Sequence, residues 1–159
     1  MSCNLGYIAS MTPTTDDEKA ISAIIDEFVA TWNRRDAAAW AAQFAMDSDH
    51  INVVGMLFEG QDENRRRHAE IFAGMFKDST LQHHIRRLRF LSPEIALVDL
   101  DSEMSIIGPL PPAFATISRR NADGTAVMRS RMRHVMIKTD GRWQIVASQN
   151  TPIMGPPAN

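Results

Sequence analysis

The chain has 159 residues, 44% of them hydrophobic and 23% charged, with 17 Lys and Arg against 19 Asp and Glu. That length suits one domain with a real core, and a net charge of −2 gives no electrostatic reason to expect nucleic acid or an anionic membrane as partner. The lone cysteine, Cys3, excludes an intramolecular disulfide and a cysteine zinc site and fits a cytoplasmic location, and no stretch approaches the roughly 20 apolar residues that span a bilayer.

Residues 1–15 lack the basic start and apolar run of a signal peptide. Met11-Thr12-Pro13 reads as a natural start, so residues 1–15 are expected to form a poorly ordered arm. One domain over 16–152 and a tail over 153–159 follow. Thr15 and Glu18 fit a capping box. Ile21, Ile24, Ile25, Phe28, Val29 and Trp32 then fall at helical spacing and predict an amphipathic helix of about 18 residues. Asn33-Arg34-Arg35 breaks it. Asp36 caps a second, short helix with Ala37, Trp40, Ala41 and Phe44 on one face. Asp47-Ser48-Asp49 reads as a turn, His50–Val54 as a strand, Gly55 as its break and Leu57–Glu59 as a return strand. Gly60 precedes a third helix, with Asp62 and Glu63 in its first turn and His68, Ile71, Phe72, Met75 and Phe76 on one stripe. Arg65, Arg66 and Arg67 fall mostly outside that stripe.

From Thr80 the period changes to two. Leu81–Leu91, Ile95–Ile107, Ala126–Thr139 and Arg142–Thr151 read as long strands, the last pair joined by the tight-hairpin dipeptide Asp140-Gly141. Gly108–Thr125, with three prolines and two glycines, is longer than a hairpin needs and is a candidate lid. Helices first and antiparallel strands later predict an α+β domain: three N-terminal helices packed on a curved, mostly antiparallel sheet.

The hairpin assigns faces. Counting from Thr139 opposite Arg142 puts Met136 with Ile145, His134 with Ala147 and Met132 with Gln149 on one side. Arg129, Arg131 and Arg133 point the other way. On the preceding strand Asp99, Asp101 and Glu103 alternate with Val98, Leu100, Ser102 and Met104. The acids and arginines are natural cross-strand partners on an outer face, and the apolar side must receive the helices.

Phe28-Val29-Ala30-Thr31-Trp32-Asn33 with Asp36, Ile51-Asn52-Val53-Val54-Gly55, the helix with His68 and Phe72, Lys138–Ile145 and Gln149-Asn150-Thr151 occur in an order that is similar to a known family. Over residues 16–152 the chain resembles the nuclear-transport-factor-2-like (cystatin-like) superfamily, in its SnoaL-like branch of the SgcJ/EcaC type. The resemblance implies a cone-shaped pocket between helices and sheet, and homodimers that often meet through the outer sheet face. It leaves function open, because that superfamily hosts isomerases, dehydratases, hydrolases, cyclases and plain binding domains. In its ketosteroid-isomerase-like members a carboxylate on the strand after the second helix transfers a proton. Asn52 stands at the matching place, and an amide is no general base.

The candidate site follows from these faces. His68, on the apolar stripe, is either a satisfied core histidine or an acid/base group, and His134 is the matching candidate from the sheet. Asn52 either lines the pocket or makes a structural hydrogen bond. Gln149 is inward by the hairpin count and Asn150 outward, an order that a β-bulge would exchange. Trp40, Phe58 and Phe72 with Met104, Met128, Met132 and Met136 are either core filling or an apolar ligand wall. His83 and His84 point to opposite faces and cannot share a metal ion; no metal and no cofactor motif is expected. Two readings stay open. One is a pocket for a small apolar molecule, polycyclic or aromatic, with cofactor-free proton transfer, isomerisation, dehydration or cyclisation. The other is a non-catalytic ligand-binding or dimerisation module.

Overall fold

A computed structural model describes residues 14–154. The expected arm lies outside the described residues except for Thr14 and Thr15, as does the tail beyond Met154. The elements are α1 (Thr15–Asn33), α2 (Ala37–Ala41), β1 (Phe44–Ile51), β2 (Leu57–Glu59), α3 (Gly60–Ala73), β3 (Ser79–Ser92), β4 (Ile95–Ile106), α4 (Pro112–Ala115), β5 (Ser118–Arg120), β6 (Ala126–Thr139) and β7 (Arg142–Pro152).

The helix α1 buries Ile21, Ile25, Phe28 and Trp32 on one face, as their spacing predicts. Its capping box sits one residue earlier than Thr15 and Glu18. Thr14 is the N-cap, its hydroxyl accepts from the Asp17 backbone N–H, and the Asp17 carboxylate accepts from the Thr14 N–H at 3.1 Å. The choice is tertiary. The same Asp17 carboxylate accepts from Lys138 Nζ at 2.6 Å and from Trp143 Nε1 at 2.9 Å, which bolts the start of α1 to the β6–β7 hairpin. Those bonds, Lys138 first, hold Asp17 well below the usual carboxylate range. At the other end, the Asn33 amide pairs with both backbone groups of Leu81, at 2.8 and 3.0 Å, and Trp32 Nε1 donates to Ser79 Oγ. The helix is thus pinned to β3 at its C-terminus as well.

The strands form one curved mixed sheet in the order β2-β1-β7-β6-β4-β3, with β5 beside β6. Only the β1–β7 pair is parallel among those described. The segment read as turn, Asp47-Ser48-Asp49, lies inside β1 instead, and Phe44 belongs to that strand rather than to the second helix. β7 supplies the ladder that makes this stretch a strand, and an irregular register between Phe44 and Asp49 absorbs its turn-forming residues. Asp140 (φ 50°) and Gly141 (φ 77°) both take the left-handed backbone that a tight hairpin with the right twist demands.

The ion-pair face is as the alternation predicts. Asp99 pairs with Arg133, Asp101 with Arg131 and Glu103 with Arg129, in strict β4–β6 register and with N–O separations of 2.6, 3.2 and 2.8 Å. The arginines are largely exposed and the acids half-buried, so each pair contributes about 0–1 kcal/mol. The opposite, concave face carries Val98, Leu100, Met104, Met128, Met132 and Met136 into the core under the helices. α1 lies over β3, α3 over β1, and α2 against α3. Among the described residues no helix is long and apolar enough to cross a membrane.

Candidate functional site

The concave face and the helices α1, α2 and α3 border a cavity of about 60 Å³. Its walls are Phe28 and Trp32 from α1, Trp40 from α2, His68 and Ile71 from α3, and Met104, Met128 and Met132 from the sheet. His50, Asn52, Ser102, Ser130 and Asn150 supply its polar groups. Phe114, from the segment considered a lid, closes one side and meets Phe76 edge-on with ring centroids 5.2 Å apart. A cavity of about 150 Å³ holds one benzene. The space here is smaller, so a larger occupant requires the wall to give, and the three methionines are the part able to do so.

The centre of the site is an aromatic stack. The His68 ring lies on Trp40 with centroids 3.6 Å apart, and its Nδ1 is 2.8 Å from the Asn64 carbonyl oxygen. A carbonyl only accepts, so Nδ1 carries the proton. Burial pushes the His68 pKa down to about 4, which keeps the ring neutral at pH 7. Nε2 is then a lone-pair acceptor. His50, 5.6 Å from His68 between ring centroids, is 4% exposed and is likewise held neutral, by burial first and then by its histidine neighbours.

His134 faces inward, as its register implies, and is fully buried. It does not border the cavity, however: its ring sits 5.4 Å from Phe28, and neither ring nitrogen has a partner. A direct catalytic role at this cavity therefore does not fit His134. Gln149 is a correction. It is exposed on the outer face, and Asn150 faces the cavity in its place. The cause is a β-bulge at Val146, which puts Ala147 opposite Val135 and Ser148 opposite His134. Asn52 lines the cavity, but its Oδ1 accepts from the Val54 and Met56 N–H groups at 3.1 and 2.9 Å, so its acceptor is largely spent on the turn. Phe58 and Phe72 stand behind the cavity, against His50 and Trp32 respectively. His83 stacks on Phe28 inside while His84 is exposed, the split that their adjacency predicts.

Residues that the sequence did not single out are Asn64, Ser48, Ser130 and Ser148. All are polar groups on inward faces, and buried atoms of Ser48, Asn64, Ser148 and both nitrogens of His83 lack hydrogen-bond partners. A desolvated, unpaired polar group costs about 1–3 kcal/mol, and of this set only Ser130, which is not among the unpaired ones, borders the cavity. For the three serines the available signal was a small polar residue at an inward strand position, whereas Asn64 lies on α3. Among the described residues no three His, Cys, Asp or Glu side chains are grouped so as to hold a metal ion.

No protein-family model and no curated protein sequence matches the chain. Solved structures do. A domain of unknown function with a cystatin-like fold from Nostoc punctiforme is 27% identical, with TM-score 0.75, over 89% of this chain and 80% of its own. This chain has the cystatin-like fold. A putative scytalone dehydratase from Novosphingobium aromaticivorans shares that architecture at 14% identity and TM-score 0.70, over 91% of this chain and 89% of its own. So does a ketosteroid isomerase-like protein from Erwinia carotovora atroseptica, at 19% identity and TM-score 0.63, over 89% of this chain and 100% of its own.

Proposed function

We propose that this chain binds a small, uncharged, largely apolar molecule in the cavity beneath α1 and α3, and that His68 exchanges a proton with it without a cofactor. The observation that carries this reading is the stacked His68: its Nδ1–H is tied to the Asn64 carbonyl and its neutral Nε2 is left to accept. Aromatic walls of Phe28, Trp32 and Trp40 surround it, and among the described residues no Asp, Glu, Lys or Arg lines the cavity. An unpaired charge would be costly to bury there, hence an uncharged ligand. The dehydratase-like and isomerase-like neighbours act as precedents for a shared scaffold only. On the sequence phrases given above, the finer placement is the SnoaL-like branch of the SgcJ/EcaC type, in a cytoplasmic setting.

Native mass spectrometry of freshly purified protein tests the reading. A bound mass is expected that disappears on denaturation, and His68→Leu is expected to lower its occupancy at least tenfold, the value of about one hydrogen bond. Equal occupancy in the variant would overturn the role of His68. Asn52 favours a second reading, binding without chemistry, because its amide oxygen is engaged by backbone N–H groups and the family resemblance puts a carboxylate at that position. A ligand recovered chemically unchanged after prolonged incubation supports that second reading.

We also propose that the outer sheet face pairs with a second copy. A depression of about 590 Å³ there, bordered by Asp49, Asp99, Arg131 and Arg133, carries both charge signs and can meet its own image. Light scattering at micromolar concentration is expected to give twice the 17.8 kDa chain mass. Arg131→Glu together with Arg133→Glu is expected to give the monomer. A wild-type monomer would refute the pairing.

A further inference from the structure

Three inward side chains lie side by side across the sheet. His134 on β6 is in register with Ser148 on β7, and Ser148 is in register with His50 on β1. They are 0%, 4% and 4% exposed. Adjacent strand positions place such side chains about 4.5–5.5 Å apart at their Cβ atoms. Both nitrogens of His134, the Ser148 hydroxyl and Nδ1 of His50 are buried polar atoms with no hydrogen-bond partner. Ser148 stands in register between the two imidazoles, and His134 also has His83, both of whose nitrogens are unpaired, as a neighbour. A hydroxyl both donates and accepts, and a neutral imidazole has one nitrogen of each kind. The row ends at the cavity, because His50 lines it beside His68.

We propose that His134 and Ser148 are positioning residues that fix His50 as a hydrogen-bond donor to the cavity, which selects a ligand hydroxyl held between His50 and His68. The direction follows from one fixed end. The Asn64 carbonyl can only accept, so His68 bears its proton on Nδ1 and presents Nε2 as an acceptor. A hydroxyl lying between the two rings donates to His68 Nε2 and accepts from His50 Nε2–H. With its proton on Nε2, His50 has a bare Nδ1, which accepts from the Ser148 O–H. Ser148 Oγ in turn accepts an N–H from His134. Every bond in the sequence His134, Ser148, His50, ligand, His68, Asn64 then points the same way. Reversing any one leaves two donors or two acceptors facing each other. Ring centroids 5.6 Å apart let a single oxygen reach both imidazoles by ordinary hydrogen bonds of about 2.8 Å. The ligand class is a neutral alcohol, phenol or enol. This part rests on the cavity being the binding site, whereas the row itself does not.

The experiment is two-bond ¹H–¹⁵N correlation spectroscopy of the imidazoles in the full chain at pH 7, which reads the tautomer of each ring. His68 is expected with its proton on Nδ1 and His50 with its proton on Nε2. Ser148→Ala is expected to mix the two tautomers of His50 while leaving His68 unchanged, and Ser148→Thr, which keeps the hydroxyl, is expected to restore the single form. Phenol is the probe for the cavity. Its affinity is expected to fall about tenfold in Ser148→Ala, the loss of one directed hydrogen bond, and to return in Ser148→Thr. His50 protonated on Nδ1 in the wild type, or an unchanged single tautomer in Ser148→Ala, overturns the row. If phenol fails to bind the wild type while the tautomers are as stated, the row stands and the cavity reading fails.

Discussion

Acidification from pH 7 is expected to unfold this protein with a midpoint between about pH 4 and 5. A solvated histidine titrates near 6.5. Burial pushes His68 and His83 down to about 4 and His134 to about 3, the last also through neighbouring His83, and His50 lies well below its ordinary value. The unfolded chain therefore takes up protons below pH 6.5 that the folded chain refuses. Stability present above pH 6.5 is lost as the pH falls toward the folded values. At pH 4.5 the gap is about two units, or between about 2 and 3 kcal/mol per histidine and about 8 kcal/mol for the three with stated values. A domain of this size has about 5–15 kcal/mol in all. Carboxylates do not explain a loss in this window. Asp17, held down first by Lys138, and Asp99, held down first by Arg133, withdraw their support only as pH falls below the ordinary carboxylate value of 3.8. Circular dichroism against pH checks this. His134→Phe is expected to lower the midpoint and remove about one proton from the transition, and exposed His84→Gln is expected to leave it unmoved. A wild-type protein that keeps its near-ultraviolet signal at pH 3.5 would sink the prediction.

Those same histidines show what the amino-acid pattern carries and what it does not. The acid–arginine face was legible because period-two alternation and opposite charge need only a β4–β6 register, which cross-strand pairing supplies. The inward direction of His134 was legible for the same reason. Gln149 was not, because the bulge at Val146 involves no glycine or proline that would announce an extra residue. The first strand was hidden too. Trp40, Ala41 and Phe44 satisfy helical spacing, and Asp47-Ser48-Asp49 has turn composition, so only pairing with β7 makes Phe44–Ile51 a strand. The capping box has two solutions one residue apart, and contact with Lys138 and Trp143 chooses between them. Above all, His50 and His134 come into one row only because β7 stands between β1 and β6. Local periodicity says which face a side chain takes. It does not say which strands are neighbours, and a site assembled across a parallel pair depends on that order.

Trp40→Ala is the substitution expected to do most damage at the site. The indole is 1% exposed and packs with Phe28 and Phe44 at centroid distances of 4.9 Å each, besides its stack on His68. Truncating a buried aromatic of this kind costs about 3–5 kcal/mol, from lost contacts and the hole left behind. One feature reduces the loss: Trp40 Nε1 is buried without a hydrogen-bond partner, so removing it also removes a desolvation cost of about 1–3 kcal/mol. Trp40→Phe separates these effects, since it deletes the unpaired N–H and keeps a ring against His68. It is expected to cost less than Trp40→Ala, because the hole it leaves is smaller. The electrostatic consequence is the more specific. Burial is the main cause of the low His68 pKa, and Trp40 covers one face of that ring. Opening the face to water in Trp40→Ala is expected to raise His68 from about 4 toward 6.5, measured by NMR titration of the imidazole, whereas Trp40→Phe is expected to leave it near 4. His68 would then be partly protonated near neutral pH, its Nε2 would become a donor, and a ligand hydroxyl would lose its acceptor. Ligand occupancy in Trp40→Ala is therefore expected to fall steeply as the pH drops through 6.5, a dependence absent in wild type over the same range. A His68 pKa unmoved by Trp40→Ala, with the fold intact, would mean that the stack does not control the proton on which the proposed chemistry relies.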